Sequence, residues 1–151
     1  MIRPGDVVTA EFRGAQGVKR RPAVVVSSAA YHAVRPDVML SLLTTQTAQA
    51  TEPTDYLLRD WQSAGLFAPS AFRSFLGMAL PGQVTVIGQL SARDWLEVQK
   101  RLGVALAAVT PAQLQAEQSA DRERQEKEAA RLKAEKLAAK LRELGLDPDR
   151  I

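Results

Sequence analysis

The composition of this 151-residue chain breaks at Thr110-Pro111, and that break bounds what the chain can fold into. Before it, short β-branched runs alternate with glycine- and proline-bearing turns. After it, residues 112–144 contain no glycine or proline and are almost wholly Ala, Glu, Gln, Lys, Arg and Leu. The first pattern is that of short strands joined by turns, the second that of one long helix. The chain therefore reads as a β-rich domain over residues 1–109 followed by a charged helical extension over 110–151.

Within the first part, Pro4-Gly5-Asp6 is a turn signal and residues 7–12 have strand composition. Ala23-Val24-Val25-Val26 is fully apolar and suits a buried central strand. Ser27 and Ser28 can cap a short helical turn that Arg35-Pro36 ends. Val38–Leu43 reads as a second apolar strand delivering Thr44, Thr45 and Gln46 at its end, and a shorter strand follows from Pro53 to Leu58. Asp60–Gly65 is expected to form one helical turn stopped by glycine. Ser70–Ala79 and Gln83–Gly88 complete the strands. Several short strands with turns between them imply a small closed barrel, mainly β with helices (α+β). Ser91 and Asp94 are spaced as a capping box, opening a helix to about Ala108 whose face of Trp95, Val98, Leu102 and Leu106 packs on the barrel. Thr110 and Pro111 open the second helix in the same way. Its late residues Ala130, Ala134, Leu137, Leu141 and Leu144 are spaced as a short coiled-coil seam, and its first half reads as a solvated helix held by charge pairs.

Residues 1–110 hold 11 Lys and Arg against 8 Asp and Glu, whereas residues 111–151 hold 9 of each. Six of those basic residues fall within the first 35, so an anionic partner for the first domain is plausible, as is an ordinary solvated surface. There is no cysteine and one histidine, His32, which rules out a thiol nucleophile, a cysteine zinc site and any cluster of imidazoles. No metal or cofactor is expected. Asp6 interrupts the start before a secretion signal can form, and the longest uncharged stretch, Ser74–Ala92, is too polar to span a membrane. A cytoplasmic protein without a membrane partner is expected.

What remains for chemistry is Lys19-Arg20-Arg21 at the mouth of one buried strand and Thr44-Thr45-Gln46 at the end of the next. A guanidinium beside a hydroxyl suits phosphate, because Arg offers a permanent charge in a planar fork and Thr one further donor. RNA carries its own nucleophile in the 2′-OH, so positioning the strand and stabilising the phosphorane suffices. On the residues alone, an exposed Arg-Arg before proline and a strand-end Thr bonded to its own backbone are the better account of the same residues. His32 reads as a loop histidine. Trp61 and Phe67 can stack on bases, but burial in the core is the expectation for both.

Arg3-Pro4-Gly5-Asp6-Val7-Val8, Lys19 to Ser27 and the strand ending in Thr44-Thr45-Gln46 together resemble the PemK/MazF-like toxins of type II toxin–antitoxin pairs. Asp60-Trp61, Ala64-Gly65-Leu66, Pro69-Ser70 with Arg73, and Ile87 to Ser91 continue the resemblance in order, over residues 3 to about 108. It implies a small SH3-like barrel, a homodimer, a cognate antitoxin, and cleavage of single-stranded RNA (mRNA) by 2′-OH attack. It places the catalytic pair on Arg21 and Thr44 and RNA contacts on Lys19, Arg20, Thr45, Gln46 and Arg73; Glu11 is a candidate base. One departure follows Arg73, where Ser74-Phe75-Leu76-Gly77-Met78 stands in place of the charged residues that relatives often carry. The alternatives are a non-enzymatic toxin of the same fold that grips a protein such as DNA gyrase, or an inactive RNA-binding regulatory domain.

Overall fold

A computed structural model describes residues 1–14 and 17–143 of the chain. Two compact units are formed, Met1–Val109 and Thr110 onward. The first contains strands β1 (Asp6–Gly14), β2 (Gly17–Val25), β3 (Val38–Thr44), β4 (Tyr56–Leu57), β5 (Ala71–Ala79) and β6 (Thr85–Gln89), with helix α1 (Ala29–His32) after β2 and helix α2 (Ala92–Ala105) after β6. The strands form one sheet in the order β4-β5-β3-β2-β1-β6, antiparallel throughout. β4 and β6 are its edges, so the sheet is a half-barrel rather than a fully closed one.

Ala23, Val24 and Val25 are all fully buried because both faces of β2 are covered. Val7, Val24, Leu43 and Phe72 point to one face and pack with Val98 of α2. Val8, Ala10, Ala23, Val25, Val38 and Leu40 point to the other and form a second cluster, bordered by Phe12 and Val84. Alternation along each strand sends neighbouring residues to opposite faces, which is why one apolar run feeds two cores.

Helix α2 is tied to the sheet by its third residue. Asp94 is fully buried, and its carboxylate accepts the Tyr56 hydroxyl at 2.9 Å and the backbone N–H groups of Arg59 at 3.1 Å and Asp60 at 2.8 Å. The expected capping box is thus half made. Ser91 Oγ accepts the Asp94 N–H at 3.2 Å, but the Asp94 carboxylate turns to the 59–60 loop, and Ser91 donates to Asp60 Oδ2 at 2.6 Å. A reciprocal box does form at Thr110, whose N–H donates to Gln113 Oε1 at 2.7 Å while its Oγ1 accepts the Gln113 N–H at 3.2 Å.

Residues 60–65 make the expected single helical turn, with the Ala64 N–H on the Asp60 carbonyl at 3.2 Å, stopped by Gly65 at φ +77°. This turn lies directly on β6: a Cβ on Gly65 would strike the Ile87 carbonyl, and one on Gly88 the Ala64 carbonyl. Both glycines are there for close backbone approach.

Helix α3 (Pro111–Glu143) is the described part of the second unit. Charge pairs Arg122–Glu126, Glu123–Lys127 and Arg131–Glu135 line it at spacing i,i+4, each worth about 0.3 kcal/mol. Leu137 of the seam is 62% exposed. Leu144, Gly145 and Asp147–Arg150 lie outside the described residues. Among the described residues no helix is long and apolar enough to cross a membrane.

Gly88→Ala is expected to cost about 2–3 kcal/mol, because backbone must move to admit the methyl group; a lowered urea midpoint checks it. The Ser91 hydrogen bond, and after it the Arg93 guanidinium 2.6 Å away, lower the Asp60 carboxyl below its usual value, against an opposing desolvation effect. A carboxyl depressed on folding contributes stability above its unfolded value and loses it as pH falls through the folded one. The stability gap between wild type and Asp60→Asn should therefore be widest at neutral pH and close on acidification below about pH 4.

Candidate active site

β2 and β3 pair Ala23 with Leu42, Val24 with Ser41 and Val25 with Leu40. The pairing ends at Ala23 and Leu42, and alternation puts Arg21, two residues before Ala23, and Thr44, two residues after Leu42, on the same face of the sheet. Arg21 pairs with Ala10 of β1, so it lies on the face of the Val8–Ala10–Ala23 cluster, beyond its exposed end. Arg21 is exposed and has no hydrogen bond or ion pair among the described residues. Thr44 Oγ1 accepts the Gln46 N–H at 3.2 Å, and its hydroxyl hydrogen has no acceptor among the described residues. Thr45 and Gln46 are exposed beside it.

Lys19 pairs with Phe12 and shares the Arg21 face; Arg20 does not. Arg20 pairs with Glu11 on the opposite face, where its Nε donates to Thr9 Oγ1 at 3.1 Å and its Nη2 to Thr85 Oγ1 at 2.8 Å. Glu11, Arg20 and Thr85 there line a hollow of about 500 Å³. The structure therefore brings Lys19, Arg21 and Thr44 to one side and puts Arg20 and Glu11 on the other.

Arg73 reaches the first side through a bulge. While β3 advances from Ser41 to Leu43, β5 runs from Leu76 to Phe72, which leaves two extra residues on β5. Such bulges re-aim side chains and concentrate near active sites. Ser41, fully buried, holds this one by donating to the Arg73 carbonyl at 2.6 Å, and Ser74 Oγ donates to the Thr54 carbonyl at 2.9 Å. Leu42, Asp55, Arg73 and Phe75 then line a cavity of about 360 Å³. Asp55 and Arg73 form an ion pair at 4.0 Å, with side-chain exposures of 5% and 41%. Residues 54–56 read in the sequence only as part of a strand, and a buried carboxylate there gives no local signal.

The aromatic and histidine candidates separate likewise. Trp61 is partly buried against the core, as expected, but Phe67 is 85% exposed, because the 60–65 turn directs it away from the packed face. His32 Nε2 lies 2.6 Å from Ser27 Oγ, which also accepts the Met39 N–H at 3.0 Å, so it ties α1 to β3. Among the described residues, no group of three or more His, Asp or Glu side chains is placed to hold a metal ion.

Comparison with solved structures finds the same fold in several toxins. An endoribonuclease in complex with its cognate antitoxin from mycobacterial species is 18% identical, with a TM-score of 0.58 over 71% of this chain and 96% of that one. MazF from Deinococcus radiodurans is 23% identical, with a TM-score of 0.54 over 70% and 96%. A MazE–MazF complex from the same organism gives 21% and 0.55 over 70% and 96%. No curated protein matches the chain in sequence. The sequence profile of one family matches residues 3–106, and by that match the chain belongs to the PemK-like, MazF-like toxins of type II toxin–antitoxin systems.

Proposed function

We propose that the chain is an endoribonuclease that cleaves single-stranded RNA by attack of the substrate's own 2′-OH, with Arg21 and Thr44 as the catalytic pair. The observation that carries this reading is that an exposed guanidinium with no internal partner among the described residues shares a sheet face with a hydroxyl whose hydrogen is unused there. A bonded arginine would have to break contacts before meeting phosphate; Arg21 does not. Arg21 stabilises the charge that builds on the phosphorane oxygens, and Thr44 donates a further hydrogen bond to it. The O2′–P bond forms, the P–O5′ bond breaks, and the proton lost from O2′ is balanced by the one gained at O5′. The products are a 2′,3′-cyclic phosphate and a 5′-hydroxyl, and no metal enters the balance.

Lys19, on the Arg21 side, contacts the RNA backbone, with Thr45, Gln46 and Arg73 as further RNA contacts. Arg20 stays with Thr9 and Thr85 and supports the hairpin instead. A cognate antitoxin and a second copy of the chain are the protein partners in this reading, in the cytoplasm. Two of the similar solved structures hold a toxin with its antitoxin, which supports the first of these.

Cleavage of a long RNA should persist in EDTA and leave those two ends; loss of activity in EDTA or a 5′-phosphate product would contradict the mechanism. Arg21→Ala should lower kcat by about 10³-fold and Thr44→Ala by about 10²-fold in folded protein, with Thr45→Ala much milder. Lys19→Ala should reduce the slope of log affinity against log salt by about 0.7, the value for one phosphate contact on a single strand. Arg20→Ala should leave that slope unchanged and lower the melting temperature.

A further inference from the structure

Leu114 is the one buried residue of α3, so from Gln115 to Glu143 the helix has no buried face among the described residues. Its early turns need none, because they are polar and paired at spacing i,i+4. The later turns are different. Ala130, Ala134, Leu137, Ala138 and Leu141 recur at helical spacing on one face, and Leu137 is 62% exposed there. The stripe has a defined start, because Lys127 and Glu123 lie on the same line one and two turns earlier and pair with each other at 2.7 Å. Its edges are cationic. Between Ala130 and Arg142, Arg131 and Arg142 border one edge and Lys133 and Lys140 the other. The single acid at either edge, Glu135, is held by Arg131 at 2.9 Å, and Lys133 and Lys140 have no ion pair among the described residues.

We propose that this stripe is the docking face for one amphipathic helix of a partner protein that carries acidic residues along both edges of its own apolar face. The inference stands on the second unit alone and is independent of the nuclease reading. A helix laid along the stripe covers Leu137 and Leu141 and brings its carboxylates to Lys133 and Lys140 on one side and Arg142 on the other. Charge selects this occupant over two others. A second copy of the chain is disfavoured in either direction. Parallel pairing, continued upstream, sets Lys127 against Lys127 and Glu123 against Glu123 in the seam. Antiparallel pairing about Ala134 and Leu137 sets Lys133 against Lys140. The stretch from Ala130 to Leu141 is too short to hold two copies together against that repulsion. RNA is disfavoured by the centre of the stripe, since its phosphates would meet cations only at the edges and leucine between them.

The test uses the full chain and two synthetic helical peptides of about three heptads, with leucine along the seam and either glutamate or lysine at every flanking position. By fluorescence anisotropy at ~0.15 M salt, the glutamate peptide should bind about 10-fold or more tighter than the lysine peptide. Lys133→Glu combined with Lys140→Glu, both at exposed positions, should bring the two peptides within about threefold of each other or reverse their order. Leu137→Gln, which keeps a good helix former on the surface, should weaken the glutamate peptide about 10-fold. Equal affinity for the two peptides, preference for the lysine peptide, or no binding of either overturns the proposal. So does a preference that survives the double reversal, or an affinity that Leu137→Gln leaves unchanged. A lower sedimentation mass of the peptide-free chain on Leu137→Gln would overturn it in favour of a second copy. Loss of single-stranded RNA binding in the lysine-reversed protein, with wild type indifferent to the glutamate peptide, would overturn it in favour of RNA.

Discussion

The pairing of β2 with β3 is the constraint on which the rest depends. Side chains alternate between faces with a period of two, so a slip of one residue between these strands would move Arg21 from one side of the sheet to the other. Burial on both faces prevents that slip. Val24 belongs to one core, Ala23 and Val25 to the other, and each has a fixed partner on β3. The position of the guanidinium is therefore set by methyl groups several residues away, and Arg21 needs no contacts of its own to be aimed.

A second device fixes the other wall of the site. Ser41 is the one polar residue within the apolar run Val38–Leu43, and it is completely buried. Its hydroxyl donates to the Arg73 carbonyl in the bulge of β5, so the strand that aligns Thr44 also holds the irregularity that presents Arg73 and Phe75. On the far face Asp94 does the equivalent for helix α2, gathering Tyr56 and the backbone of residues 59 and 60 onto one carboxylate. Burial first, and then the Asp94 carboxylate, push the Tyr56 phenol above its ordinary value.

Much of the fold is legible in the sequence where the signal is local. The strand runs, the Ser28 cap of α1, the helix after Ser91 and the composition break at Thr110 all correspond to observed elements. What is not legible depends on register or on partners distant in the chain. Arg20 and Arg21 are adjacent and chemically alike, and only the pairing with Glu11 and Ala10 sends them to opposite faces. Ser91 and Asp94 have the spacing of a reciprocal cap, but Asp94 finds stronger company in Tyr56, 38 residues away. Phe67 has the composition of a core residue and is exposed, because the turn before it is governed by two glycines pressed against β6. Asp55 gives no signal at all, since nothing in residues 54–56 reveals that Arg73 and a bulge will close over it.

The proposed chemistry asks little of the protein beyond placement: one permanent charge, one hydroxyl and a strand of RNA laid between them, with the nucleophile supplied by the substrate. That economy gives the most direct test. A defined RNA in which the nucleotide before the cut is changed to 2′-deoxy should bind the full chain as tightly as the all-ribose strand and remain uncut in single-turnover conditions. Cleavage of the 2′-deoxy strand at an undiminished rate would mean that water or a protein group attacks the phosphate, and would contradict a mechanism in which Arg21 and Thr44 serve only to stabilise the attack of the substrate's own hydroxyl.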